Sequence, residues 1–249
     1  MLKKERQALI IHRVNLHNKV LSSTLSQEIS VSEDTIRRDL QELADEGKLI
    51  KVHGGALSRS FNNHFLPENE IYSFSQKKAI AIKAISLIQD GMFILSSGGT
   101  TVIEMAKALP PQLKATFLSG SLPVLMEYMN HPNIDVIVIG DKLSKSSKIT
   151  TGGDALQKIR QFRADLCFLG INAIDPQHGV TDNDWDVVQL KQAMIESAKK
   201  VVCLSIIEKV NTTQPIQVCP LNKIDILITE SNPEDPRLQP YVNAGVRVI

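Results

Sequence analysis

Two short stretches hold residue types that could do chemistry. In "SEDTIRRDL", Ser32 to Leu40, two adjacent arginines, Arg37 and Arg38, lie between Ile36 and Leu40, which are one helical turn apart. A guanidinium presents a planar fork of donors that fits a phosphate or the paired acceptors of a base edge. In "SSGGTT", Ser96 to Thr101, an apolar run ends in two glycines and two hydroxyls. Such a turn lets backbone N–H groups approach an anion at the start of a helix. Many strand-to-helix turns need glycine for geometry alone, so this stretch says little by itself.

Other chemistry is missing from the pattern. Cys167, Cys203 and Cys219 are an odd number at no metal-ligand spacing, and the first two sit in the apolar runs "DLCFLG" and "VVCLSI". They read as buried, reduced thiols of a cytoplasmic protein. The six histidines form no ligand pair, so no metal and no cofactor is expected. No apolar run reaches the ~20 residues of a membrane span. "MLKKERQALIIHRV" has no apolar core or cleavage site, so no signal peptide is read. With 43% hydrophobic and 22% charged residues the chain belongs to the ordinary globular class. Net charge is +1, with +2 in residues 1–60, so any nucleic-acid role must rest on where the positives sit.

The elements around the Arg pair are short helices. Residues 3–16 place Ala8, Leu9, Ile11 and Leu16 among charges and read as a helix; "LSSTLSQEI" reads as a second, capped by Ser22 or Ser23. Ser32 caps a third, with Glu33 and Asp34 in its first turn and Ile36, Leu40, Leu43 and Ala44 on its apolar face. Gly47 ends it, and "KLIKVHGGAL" alternates as a short strand or wing. Arg38 lies opposite the apolar face and Arg37 on its flank. On an isolated helix they would read as a solvated face paired at i,i+4, Asp34 with Arg38 and Glu33 with Arg37. Two preceding helices and a small-residue turn point instead to a helix-turn-helix, whose second helix enters the major groove.

Residues 58–75, rich in Asn and Ser, read as a linker, and 76–90 as a helix with Ile80, Ala84 and Leu87 on one face. From residue 91 apolar strands alternate with helices: "MFILSS", "VIEMAKAL", "ATFLSG", "LPVLMEYM", "IDVIVIG", "ALQKIRQF", "ADLCFLGI", "DVVQLKQAMIESAKK", "VVCLSI", "IDILITE" and "VRVI". That is the pattern of a parallel sheet covered on both faces.

"VSEDTIRRDLQELADEGKLIKVHGGA", Val31 to Ala56, closely resembles the signature of the DeoR family of bacterial transcriptional regulators. The resemblance implies a winged helix-turn-helix over residues 1–57, with Ser22, Ser32, Thr35, Arg37 and Arg38 facing double-stranded operator DNA and Lys51 and His53 near its backbone. Asp39 would be structural, paired with an Arg or the wing. The resemblance continues through 76–249, implying an α/β sensor domain of the sugar-phosphate isomerase and CoA-transferase-like type that binds a phosphorylated sugar or similar metabolite. Family positions fall on Lys77, on the loop Ser97, Gly98, Gly99, Thr100 and Thr101, on Ser119 and Ser121, on Gly170 and Asn172, and on Lys191 and Lys209.

The chain departs from the family at three places. Ser97 replaces an Asp, Gly120 an Asn, and Ile206 an Asp. Losing two carboxylates argues against catalysis, since an isomerase needs a carboxylate base near the substrate carbon. Asp182, Asp184 and Asp186 could supply one, but the run reads better as a helix cap. The resemblance thus implies a homo-oligomeric repressor of a carbohydrate-metabolism operon. The alternative is a sugar-phosphate isomerase-like enzyme with an accessory DNA-binding domain, and a third reading is a constitutive DNA binder with no effector.

Overall fold

The computed structural model describes residues 1–59 and 71–249; residues 60–70, most of the expected linker, lie outside them. The chain divides into two compact units, Met1–Tyr72 and Ser73–Ile249.

The first unit runs α1 (Lys3–His17), β1 (Lys19–Leu21), α2 (Ser22–Ile29), α3 (Glu33–Asp45), β2 (Ile50–Val52) and β3 (Gly55–Leu57). Its core gathers Ile10 and Val14 of α1, Leu25 and Ile29 of α2, Ile36, Leu40 and Leu43 of α3, and Leu49 and Ala56 of the wing. The buried stripe of α1 therefore runs through Ile10 and Val14, with Leu9 and Ile11 only flanking it. A dense apolar run lets several faces compete on sequence alone. As expected, the Ser32 hydroxyl caps α3 by accepting from Thr35 N–H at 3.3 Å. Gly47, just past α3, takes the left-handed φ of +70° that ends the helix. The second helix starts differently from expectation: Leu21 is its N-cap, and Ser22 lies inside the helix. β1 was not foreseen either. Three residues between helices show no period, yet they pair antiparallel with β3, which also pairs with β2.

The second unit opens with α4 (Phe74–Ile85), which begins two residues inside the expected linker. It stops before Leu87, so that residue does not share the helical face of Ile80 and Ala84. There follow β4 (Phe93–Ser96), α5 (Thr100–Lys107), β5 (Thr116–Ser119), α6 (Leu122–Met129), β6 (Asp135–Val138), β7 (Lys142–Ser144), β8 (Ile149–Thr151), α7 (Gly153–Arg160), β9 (Ala164–Gly170), β10 (Ala173–Asp175), β11 (Gly179–Asp182), α8 (Trp185–Glu196), β12 (Ala198–Leu204), β13 (Ile216–Cys219), β14 (Ile226–Ile228), α9 (Gln239–Asn243) and β15 (Arg247–Val248). Seven strands form one sheet in the order β15-β14-β12-β9-β4-β5-β6, every neighbouring pair parallel. The expected mostly parallel α/β architecture is the one observed.

Apolar runs such as Leu166–Leu169 and Val201–Leu204 are buried throughout, as strands with helices on both faces must be. The chain steps rightward from β4 to β5 and β6, then returns to β9 beside β4 and steps leftward to β12, β14 and β15. Right-handed crossovers in opposite directions place α5 and α6 on one face and α8 on the other. Two features went unforeseen: the β7–β8 hairpin and a small antiparallel sheet β10-β11-β13. Ser197 is the C-cap of α8, and Ala198, Lys199 and Lys200, read as its last turn, belong to β12. Cys167, Cys203 and Cys219 are free and buried. No helix among the described residues is long and apolar enough to cross a membrane.

Candidate DNA-reading surface and effector site

On α3 the two arginines differ. Arg37 is engaged on its own helix, donating to Asp34 at 3.1 Å and Glu33 at 3.3 Å. The expected Asp34–Arg38 pair is therefore not made. Asp34 turns to Arg37, and Arg38 is exposed with no partner among the described residues. Asp39 is buried and accepts from Arg6 and Gln7 of α1, the structural role expected of it. Beside the helix, the Ser32 hydroxyl meets that of Thr35 at 2.9 Å. Lys51 is exposed on β2 and donates to Gln41 of α3 at 2.9 Å, and His53 is exposed in the turn after β2. Ser22 needs correction: it is 3% exposed, and its N–H donates to Gly54 O at 2.8 Å. It ties the wing turn to α2 and presents no free surface.

In the second unit the strand order reverses between β4 and β9, and such a reversal opens a crevice at the carboxyl ends of the two strands. Ser97 to Thr101 leave β4 there, and Gly170 ends β9. Gly99, at a φ of +113°, precedes α5, so the N–H groups of Thr100 and Thr101 open that helix. Gly170 must be glycine, because a Cβ on it would come 2.5 Å from Gly98 O. Ser121 borders the same turn: a Cβ on Gly98 would lie 3.0 Å from its hydroxyl.

Two serines of the expected contact set work behind the surface. Ser97 is fully buried, and its hydroxyl accepts from Gly170 N–H at 2.9 Å, so it joins the two strand ends. Ser119, also buried, donates to Ser96 O and accepts from Ser121 N–H. Both hydroxyls are thereby bonded to backbone and position the crevice. Gly120 has a local reason as well. A Cβ there would lie 2.4 Å from the Thr150 hydroxyl, which is bonded to Ile139 O at 2.6 Å.

The three lysines are not the solvated charges that each would be in isolation. Lys77 of α4, Lys191 of α8 and Lys209, after β12, are all buried. Lys191 donates to Asp182 at 2.7 Å, and Asn172 donates to the other oxygen of that carboxylate at 2.7 Å. Burial alone would raise the Asp182 carboxyl, but the Lys191 charge and the donated bonds outweigh it and hold it low. Lys209 donates to Ile171 O at 3.1 Å. Burial first, then repulsion from Lys77 and Lys191, pulls its ammonium down to about 7. Burial likewise pulls Lys77 to about 8, against the opposing pull of Glu104 and Glu208. The sequence offers Asp182 only together with Asp184 and Asp186, in a run that reads better as a helix cap. Its only signal was a carboxylate nine positions before Lys191, a separation that two different elements had to bridge. Asp184 is the helix cap expected, accepting from Val187 N–H at 3.4 Å.

Residues 6–61 match the family model of the DeoR-like helix-turn-helix domain, and residues 73–231 match that of the DeoR C-terminal sensor domain. The chain belongs to the DeoR family. It is a DNA-binding transcriptional regulator. The HTH-type transcriptional regulator GlpR of Haloferax volcanii is 30% identical over all of this chain and 98% of its own length. The HTH-type transcriptional repressor GlcR of Bacillus subtilis is 29% identical over all of this chain and 96% of its own length. Among solved structures, ribose 5-phosphate isomerase A of Methanocaldococcus jannaschii overlaps with a TM-score of 0.40 at 17% identity, over 53% of this chain and 52% of that one.

Proposed function

We propose that this regulator represses a carbohydrate-metabolism operon and responds to a phosphorylated sugar bound in its C-terminal unit. In this reading residues 1–57 hold the operator, 58–75 link, and 76–249 sense. Ser32, Thr35 and Arg38 meet the major groove; Lys51 and His53 meet the phosphate backbone. The regulator works as a homo-oligomer in the cytoplasm, because one small motif on one half-site binds weakly. The relative named a repressor supports repression as the sign.

The observation that carries the effector reading is the gathering of Lys77, Lys191 and Lys209, from three separate elements, in a buried group whose Lys209 reaches the residue after Gly170. Buried ammonium groups that repel one another are stabilised by an anion. The same geometry favours sensing over catalysis. Asp182, the carboxylate drawn into the group, is held by Lys191, Asn172 and Asn183 N–H, which keeps its carboxyl low and makes it a weaker proton acceptor.

A thermal-shift panel on the full chain tests this. An effector at ~100 times its dissociation constant adds about 2.7 kcal/mol. A response confined to phosphorylated sugars supports the reading, and a blank panel refutes it. Turnover of any phosphosugar would instead establish the isomerase-like alternative.

A further inference from the structure

The helix α6, "LPVLMEYM", is apolar on its outer side as well as its inner one. Val124, Leu125 and Tyr128 pack inward, with the Tyr128 ring 4.6 Å from that of Phe117 on β5. Facing out, Leu122, Met126 and Met129 recur at four and three residues and are 40%, 47% and 79% exposed. The single charged residue of the helix, Glu127, is half-buried and lies off that stripe. A helix apolar all round belongs in an interior, and a charge-free stripe with two methionines has the composition of an interface centre.

Val138 extends the stripe into a patch. It is exposed at the end of β6, the last strand of the sheet, and its register with Ser119 puts it on the face that α6 covers. Apolar residues exposed singly are ordinary, whereas a contiguous patch of them marks a contact surface. The free edge of β6 is itself guarded, since Lys158 of α7 donates to Val138 O at 2.8 Å. A partner therefore meets the helix and does not continue the sheet.

Two features of the stripe select a second copy of this chain, laid antiparallel. Exposure rises from Leu122 to Met129, so a two-fold axis at Met126 sets the barest side chain of one copy against the most sheltered of the other. Charge agrees with shape. The start of α6 is held by the β7–β8 turn, where Leu122 N–H donates to Lys148 O at 3.0 Å and Lys145 is exposed. The end of α6 is the negative pole of the helix and carries Glu127. The antiparallel arrangement brings the basic turn of each copy to the negative end of the other, twice by symmetry, whereas a parallel one opposes like ends. We infer that α6 is a two-fold interface of the homo-oligomer, with Met126 on the axis. The inference rests on the homo-oligomer reading above and gives it a surface.

Sedimentation of the full chain over a range of concentrations tests this, alone and with Met126→Glu and Met129→Glu together. Both side chains are exposed, so the variant should keep its fold by circular dichroism while its dissociation constant rises at least about tenfold. A second measurement does not depend on that variant. The three native cysteines are buried, so Met126→Cys adds a single accessible thiol at the axis and should give a covalent dimer on mild oxidation. Ile82→Cys, also exposed but on α4, should not. A wild-type chain that stays monomeric at every concentration overturns the homo-oligomer reading and the inference together. An oligomer unmoved by the two substitutions on α6 leaves that reading standing and overturns the assignment to α6. Covalent dimers that form as readily through position 82 as through position 126 overturn it too.

Discussion

Arg6 of α1 holds Asp39 of α3 through two bonds, Nε to Oδ2 at 2.5 Å and Nη2 to Oδ1 at 3.3 Å, and Asp39 is 2% exposed. The carboxylate sits on the inner side of the recognition helix, next in sequence to Arg38, which faces out. α1 therefore sets the angle at which α3 presents its outer face. Asp39→Ala leaves Arg6 without its acceptor and should destabilise the N-terminal unit by about 2–3 kcal/mol in urea unfolding, with operator affinity falling alongside. A loss no larger than the ~0.5 kcal/mol of a surface pair would refute that orienting role.

The two arginines of the signature should separate in binding. Arg38 has no partner among the described residues, so Arg38→Ala should lose roughly 1–3 kcal/mol of operator affinity at fixed salt. Arg37 already spends its donors on Glu33 and Asp34. Its replacement by Ala should cost less and act evenly across DNA sequences. Equal, sequence-dependent losses in the two variants would show that Arg37 leaves its helix partners to read bases.

Gly120 and Thr150 form a coupled pair. A side chain at 120 meets a hydroxyl that is bonded to backbone. Gly120→Asn should lower the melting temperature in the wild-type background and cost clearly less beside Thr150→Ala. A double-mutant cycle measures the difference, with coupling of about 0.5–3 kcal/mol expected. Additive effects would mean that the Thr150 hydroxyl does not occupy the Asn site.

The buried lysines make stability and ligand binding run oppositely with pH. Folding lowers Lys209 to about 7 and Lys77 to about 8, from ordinary values above 10. Below pH ~7 both groups are charged in folded and unfolded chains alike, and the cost of burying them is fully present. As pH rises from about 7 toward 10 the folded chain sheds these protons first, so the unliganded regulator gains stability. An anionic effector binds the ammonium forms, so its affinity should fall over the same window. Calorimetry in buffers of different ionisation enthalpy should register proton uptake on binding near pH ~8. Affinity flat with pH would remove Lys77 and Lys209 from the site.

Much of this was legible in the residues, for identifiable reasons. Ser32, Ile36, Leu40 and Gly47 mark a helix whose cap, stripe and stop agree, and that helix was read correctly. The strands Phe93–Ser96 and Ala164–Gly170 were visible because nothing polar interrupts their apolar runs, Phe93–Leu95 and Leu166–Leu169. β1 and β7 were not, since three residues carry no period. The lysines' burial was also hidden. Lys77, Lys191 and Lys209 each look like surface charges locally, and only the return of the chain from β6 to β9 brings their elements together. The work of Ser97 and Ser119 escaped for the same reason, because a hydroxyl's partner across a parallel sheet is distant in sequence.

That return of the chain also sets an order in time. β9 pairs with β4, more than sixty residues earlier, and with β12, which follows only after two further strands and a helix. Pairings so distant close slowly, whereas the strand pairings of the N-terminal unit reach no further than Lys19 with Leu57. On a growing chain, N-terminal units fold first. Each newly made molecule therefore completes the surface that reads DNA before it completes the crevice that senses metabolite.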